Sequence, residues 1–276
     1  MDLIQPENVL RNGDVGEAVE QLQQTLIAAG HLAAGEDDGW FGDDTEAAVR
    51  AYQRAQNLVV DGLAGPKTRH ALAGNPLPAT LRQSDLNEAA LTLDVELAGI
   101  MAVNDVESRG RGFLPGSASP VILYERHVMH RQLVSHGLNA ALAMQQAPSL
   151  VNTRRGGYKG GAAEYTRLHH AMAIDANSAF ESCSWGAFQI MGYHWQRLGY
   201  ASVRAYVQAM QTGEPAHLDA FVRFIQTDDR LHRALQALDF DTFARIYNGS
   251  AYAEHGYHTR MATAYRRHSR LIAHAA

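Results

Sequence analysis

Thr92–Gly112, TLDVELAGIMAVNDVESRGRG, reads as an apolar helix that ends on a glutamate. Leu93, Leu97, Ile100, Asn104 and Glu107 recur at steps of three and four, so at helical pitch they share the face that a core takes. The pattern predicts one helix opening at Thr92 and Asp94 and stopping at Gly110. Glu107 then points inward in the last turn. There the negative end of the helix dipole and partial loss of water both favour the protonated carboxyl, the form that acts as a general acid. Position alone favours a plainer reading, a solvent-facing acid at a frayed helix end, because most glutamates are surface residues.

The 276 residues give room for one or two domains with substantial cores. No apolar run is long enough to cross a bilayer, and the opening MDLIQPENVL has neither a basic lead nor an apolar signal core. The expectation is therefore synthesis in the cytoplasm without an export signal, and no membrane insertion. The single cysteine, Cys183, cannot form an internal disulfide. Charge is unevenly divided: 12 acidic and 5 basic residues up to Pro76 give −7, and 17 and 19 beyond it give +2. Two differently charged modules are implied, and a body this close to neutral with no basic stripe excludes nucleic acid as the main partner.

The first module reads as three short helices. Asp14 and Gly16 open one that buries Val19, Leu22 and Leu26; a second runs from Asp43 to about Gln56 and buries Ala48, Tyr52 and Ala55. The third starts at Gly65-Pro66, where the missing proline N–H costs nothing, and carries Leu72. Two copies of DGxxGxxT, Asp38–Thr45 and Asp61–Thr68, precede the second and third helices and supply turn and cap chemistry. Gly74–Thr80, with Pro76 and Pro78, breaks helix and strand as a short, semi-stiff linker. A further helix starts at Ser84-Asp85 with Leu86, Ala89, Ala90 and Leu93 inward.

Beyond Glu107 the pattern becomes turn-rich at Phe113–Gly116 and β-prone at Val121–Tyr124, which predicts a small hairpin or three-stranded sheet beside the helix and brings Glu125 towards Glu107. Glu125 reads equally as an ion-pair partner of Arg126 or His127. His127, His130 and His136 have no compact set of further metal ligands around them. The run Arg155–Gly161 lacks Walker spacing and a leading strand, so it reads as a mobile or contact-making surface loop. In Ser184–Ile190, SWGAFQI, Gln189 is an amide among large apolar groups, either satisfied in the core or aimed at something polar in a cleft. Phe243, Ile246 and Tyr247 form a helix face ending at Asn248-Gly249, a good left-handed cap pair.

The span from Leu10 to Leu72, LRNGDVGEAVEQLQ through DGWFGDDTEAAVRAYQ to LVVDGLAGPKTRHAL, resembles the three-helix peptidoglycan-binding modules of cell-wall hydrolases. The resemblance implies docking on the bacterial wall, with Trp40 and Phe41 the candidates for stacking on a sugar or peptide; an aromatic there is equally suited to filling a small core. The ordered set ESRG at Glu107, SWGAFQI at Ser184 and IYNGSAY at Ile246 resembles the active-site series of goose-type lysozymes and lytic transglycosylases, with SWGAFQ standing where transglycosylases have GLMQ. More closely, residues 85–276 are similar to the N-acetylmuramidase domain of modular phage endolysins.

The resemblance implies a mainly α chain: a wall-binding module at 1–76, a linker at 77–84, and at 85–276 a lysozyme-like α+β domain with a small β-sheet. It implies cleavage of the β-1,4 bond between N-acetylmuramic acid and N-acetylglucosamine. Glu107 maps onto the catalytic acid, with Glu125 as candidate second carboxylate and Asp105 and Glu181 as its competitors. Ser184, Gln189, Tyr247 and Asn248 would line or orient the sugar, and Trp185 would pack under it. No metal or organic cofactor is required; the partner is peptidoglycan and the chain acts as a monomer, reaching the wall through a separate membrane lesion. A lytic transglycosylase closing a 1,6-anhydro ring on Glu107 alone, and a non-catalytic wall-binding protein, are the alternatives. A peptidase or amidase lacks its zinc or Cys-His set.

Overall fold

The computed structural model describes residues 9–75, 79–108, 111–249 and 251–273, so Pro76–Pro78 of the expected linker and the expected helix stop at Gly110 lie outside the described residues. The chain divides into two compact units, Met1–Asn87 and Glu88–Ala276. It is mainly helical with one three-stranded antiparallel sheet. Among the described residues no helix is long and apolar enough to cross a membrane.

In the first unit, α1 (Glu17–Ala28), α2 (Asp43–Ala55) and α3 (Pro66–Leu72) enclose a core of Val19, Leu22, Leu26, Phe41, Ala48, Val49, Tyr52 and Ala64. Ala55 is exposed and its neighbour Gln53 is buried in its place. That exchange explains the repeated DGxxGxxT. Gln23 of α1 donates to Asp38 Oδ1, the Trp40 carbonyl and Thr45 Oγ1, while its Oε1 accepts from Gly39 N–H. Gln53 of α2 repeats the pattern on Asp61, Leu63 and Thr68, with Oε1 accepting from Asp61 and Gly62 N–H. Each repeat is thus closed by one buried amide from the preceding helix, so the aspartate and threonine serve glutamine as well as turn geometry.

Helix α4 (Gln83–Leu93) begins two residues inside the expected linker, where Asp85 reaches back to accept from Arg82 N–H at 2.8 Å in half of a capping box. It buries Leu86, Ala89, Ala90 and Leu93, as their spacing predicts. The expected start of the Glu107 helix at Thr92 moves to Leu97, and Thr92 belongs to α4. Asp94 takes a left-handed conformation (φ 50°) and Val95 N–H bonds back to the Ala90 carbonyl, a helix-ending motif that α5 (Leu97–Glu107) follows. Helix α5 is apolar nearly all round, with Ala98–Val103 and Val106 buried.

Strand β1 (Ile122–Tyr124) pairs with β2 (Cys183–Trp185) and β2 with β3 (Ile190–Met191). The expected sheet exists, but its second and third strands come from SWGAFQI, some sixty residues on, while Phe113 and Pro120 form only an isolated bridge. Between β1 and β2 lie α6 (Arg126–Ser135), α7 (Ala140–Gln146), α8 (Ala163–Met172) and α9 (Ala176–Glu181). A 3-10 turn at Gly192–His194 leads to α10 (Val203–Met210), α11 (Glu214–Gln226), α12 (Asp229–Gln236) and α13 (Phe240–Asn248). The last helix, α14 (Tyr257–Ala273), packs along α5 and fixes it with Arg267 and His268, both on Asp105 at 2.6 and 2.7 Å.

Replacing Gln53 with Leu keeps the volume and strands Asp61, Gly62, Leu63 and Thr68 without their partner. The expected outcome is a loss of about 2–4 kcal/mol in the first unit, read by chemical denaturation of residues 9–75 signals in the full chain. Gln23→Leu should cost a similar amount.

Candidate active site

Glu107 ends α5 half-buried, and its Oε1 accepts from Asn248 Nδ2 at 2.9 Å. Asn248 is the last residue of α13, so two helices that close at Asn248-Gly249 and Glu107-Ser108 meet tail to tail. Tyr247 sits beside the Glu107 carboxyl, and its hydroxyl donates to the Phe188 carbonyl at 2.7 Å. Burial, with the Glu107 charge adding, pushes that phenol well above its ordinary range, so it stays protonated and keeps donating. Its ring packs against Phe221, Phe224 and Phe243, which makes Tyr247 a brace.

Phe188 belongs to the turn Gly186–Gln189 that joins β2 to β3. Gln189 is exposed and left-handed (φ 51°), a conformation that side chains other than glycine take at a cost, and here three bonds hold it. Ser184 Oγ donates to Gln189 Oε1 at 2.7 Å, and the amide nitrogen donates to the Gly186 and Val121 carbonyls. Ser184 is itself buried, so it positions Gln189. The expectation for Trp185 is corrected: its side chain is 2% exposed, its indole N–H donates to the Phe180 carbonyl, and β2 is buried at all three of its positions. Phe41 is likewise in the core at 0% exposure, whereas Trp40, 58% exposed, is available.

Glu125 lies at the far end of β1 from Val121, roughly 13 Å along the strand. It takes the Tyr158 hydroxyl on both oxygens at 2.9 and 2.8 Å, and His127 Nδ1 lies 3.1 Å from Oε2. Burial lowers the His127 pKa against the opposing pull of Glu125. Tyr158 reaches Glu125 because the glycine-rich loop is pinned: the buried Glu164 carboxylate accepts from Lys159 and Gly160 N–H, and Arg126 donates to the Arg154 and Arg155 carbonyls. The loop is therefore a tied strap over Glu125. Among the competitors, Asp105 faces α14, and Glu181, 5% exposed, is held by Trp195 Nε1 at 2.9 Å and His136 Nε2 at 3.1 Å. Among the described residues no three His, Cys, Asp or Glu side chains gather around one point suited to a metal ion.

Sequence patterns gave no hint of His217 on α11. It is 1% exposed; its Nδ1 accepts from Ala187 N–H at 3.1 Å, which puts the proton on Nε2, 2.7 Å from the Met210 carbonyl. The imidazole stacks on Phe113, and one turn earlier on the same helix Glu214 accepts from Gly112 N–H at 3.0 Å. A Cβ on Gly186 would stand 2.6 Å from the His217 ring, and one on Gly112 2.7 Å from Glu214 and His217. One helix face thus holds both the segment that follows Glu107 and the turn that carries Gln189. The only advance signal was glycine at 112 and 186, where backbone comes close to another group.

His217→Phe preserves the stack and leaves Ala187 N–H and the Met210 carbonyl buried without partners. We expect the second unit to lose about 2–4 kcal/mol by chemical denaturation, and Gly186→Ala, which meets the ring and requires φ +70°, to lose at least as much.

Residues 96–269 match the N-acetylmuramidase family and residues 15–72 a peptidoglycan binding domain. The crystal structure of the Burkholderia AP3 phage endolysin superposes with a TM-score of 0.90 at 48% identity, covering 96% of this chain and 99% of that one. The first unit is 47% identical over 62 residues to a zinc D-Ala-D-Ala carboxypeptidase of Streptomyces albus G, and 42% over 66 residues to the N-acetylmuramoyl-L-alanine amidase CwlL of Bacillus licheniformis. Those matches span 21% and 24% of this chain but only 24% and 18% of the two enzymes, so they speak for the shared binding module. With Glu107 and Asn248 brought together on a fold shared across nearly the whole length of an endolysin, the chain belongs to the N-acetylmuramidase family.

Proposed function

We propose that the protein is an endolysin-type muramidase that docks on bacterial peptidoglycan through residues 1–76 and cleaves it with residues 85–276, joined by the segment 77–84. It acts as a monomer and hydrolyses the β-1,4 bond between N-acetylmuramic acid and N-acetylglucosamine. The observation that carries this is the Glu107–Asn248 bond. Asn248 fixes one oxygen of the Glu107 carboxyl and so orients the group, which donates its proton to the glycosidic oxygen as the bond breaks. Gln189, held outward by Ser184 and two carbonyls, is placed to hydrogen-bond the sugar or its N-acetyl group. Trp40 contributes an exposed ring to wall docking.

Glu107→Gln keeps the shape and removes the transferable proton. Lysis of purified wall should fall by at least about a hundredfold while the melting curve stays in place. Near-normal lysis by the folded variant would overturn the assignment.

Glu125 is the second carboxylate in this reading, and the Tyr158 hydroxyl orients it. Its place at the far end of β1 from the Gln189 contact favours one rival, a transglycosylase that uses Glu107 as acid and then as base. Glu125→Gln should lower turnover on a scale comparable to Glu107→Gln if water attack depends on it, and Glu181→Gln serves as the control. Mass spectrometry of the fragments decides the rival: reducing muramic acid ends mark hydrolysis, 1,6-anhydro ends mark transglycosylation.

A further inference from the structure

Helices α12 and α13 enclose a groove of about 380 Å³ that the proposed chemistry does not use. Its floor is apolar, made by Ala234, Ala237 and Ile246, and its rim carries the guanidinium groups of Arg230, Arg233 and Arg245. All three arginines are exposed. Arg230 has a distant carboxylate neighbour, Asp228 at 3.9 Å, while Arg233 and Arg245 have no carboxylate within ion-pair distance among the described residues. Asp239 also lines the groove; it caps α13 by accepting from Thr242 N–H at 3.1 Å, and that bond holds its carboxyl below the usual range. Three positive groups against Asp239 in the lining and Asp228 beside Arg230 leave the groove about +1 on an apolar base, which suits an extended anionic chain with short side groups.

The groove shares α13 with the candidate active site. Arg245 precedes Asn248 by three residues, about 4.5 Å along the axis and on the neighbouring strip of helix surface. Asn248 in turn holds Glu107. We propose that this groove binds the acidic stem peptide of the peptidoglycan strand being cut. The inference rests on the muramidase reading. The stem peptide leaves the wall polymer from the lactyl group of N-acetylmuramic acid, one of the two sugars at the scissile bond. Four extended residues span at most about 14 Å, several times the roughly 4.5 Å of helix axis that separates Arg245 from Asn248, the residue that holds Glu107. Its free carboxylates match Arg233 and Arg245, and the amine of a dibasic third residue matches Asp239. Each exposed ion pair is weak in isolation. A peptide tethered to a bound sugar is presented at millimolar effective concentration, and there weak pairs register.

The experiment uses the full chain carrying Arg233→Ala and Arg245→Ala together, with unchanged melting as the control for folding. Two substrates are compared: intact peptidoglycan, and the same glycan after its stem peptides have been removed enzymatically. The double variant should show a five- to tenfold rise in KM on the peptide-bearing wall and no change on the bare glycan. An equal rise on both, or none on either, overturns the proposal. A second arm works without cleavage: the tripeptide L-alanyl-γ-D-glutamyl-diaminopimelate is titrated by NMR into wild type and double variant. Shifts in α12 and α13 should appear in wild type, and should vanish in the double variant and with the carboxyl-amidated peptide. Equal shifts with the amidated peptide, or the same shifts with inorganic phosphate, overturn the stem-peptide assignment. If wild type cuts neither substrate, the muramidase reading fails, and the titration alone decides the groove.

Discussion

Helix α5 is buried over most of its length, and this burial is the constraint on which the larger unit depends. Ala98–Val103 and Val106 are buried and leave only a narrow partly exposed strip at Asn104 and Asp105, so the helix has one position in the core, set further by α14 through Asp105. Only its last turn reaches the edge of the core, and there stands Glu107. A carboxyl carried by such a helix has little freedom to wander, and the proposed role as general acid requires a donor that stays within hydrogen-bond reach of the leaving oxygen.

The surroundings of Glu107 are assembled from distant parts of the chain by a few buried polar contacts. Asn248 reaches it from α13; Tyr247 ties α13 to the β2–β3 turn; Ser184 and the Val121 carbonyl lock Gln189 within that turn. His217 and Glu214 then clamp the same turn and the backbone after Glu107 to α11. The bonds run from 2.7 to 3.2 Å, and Ser184 and His217 among their partners are buried. Such a network is costly to leave half-made, so it specifies a single arrangement.

The two units achieve order by different means. The larger one has long apolar contacts and uses polar groups near its site. The smaller one has a core of few side chains and relies on Gln23 and Gln53, each closing a turn with several hydrogen bonds. The duplication of DGxxGxxT is therefore a duplication of a buried amide site, and the exposed Trp40 is held at its edge by a turn that cannot readily change shape.

The sequence by itself determined the helices of the first unit, the apolar character of α5 and the place of Glu107 in its last turn, because these rest on local periodicity and on motifs whose residues are near neighbours. Local pattern also marked SWGAFQI and YNG as unusual. It set the start of the Glu107 helix at Thr92, five residues before Leu97, since one residue turning left-handed at Asp94 leaves the apolar spacing intact. Tertiary structure alone decided which strands pair with β1, that Trp185 and Phe41 face inward, that the glycine-rich strap is tied down by Glu164, and that His217 holds the turn. Each of these depends on contacts between residues tens of positions apart, and a strand's inward and outward sides are interchangeable until its partner is known.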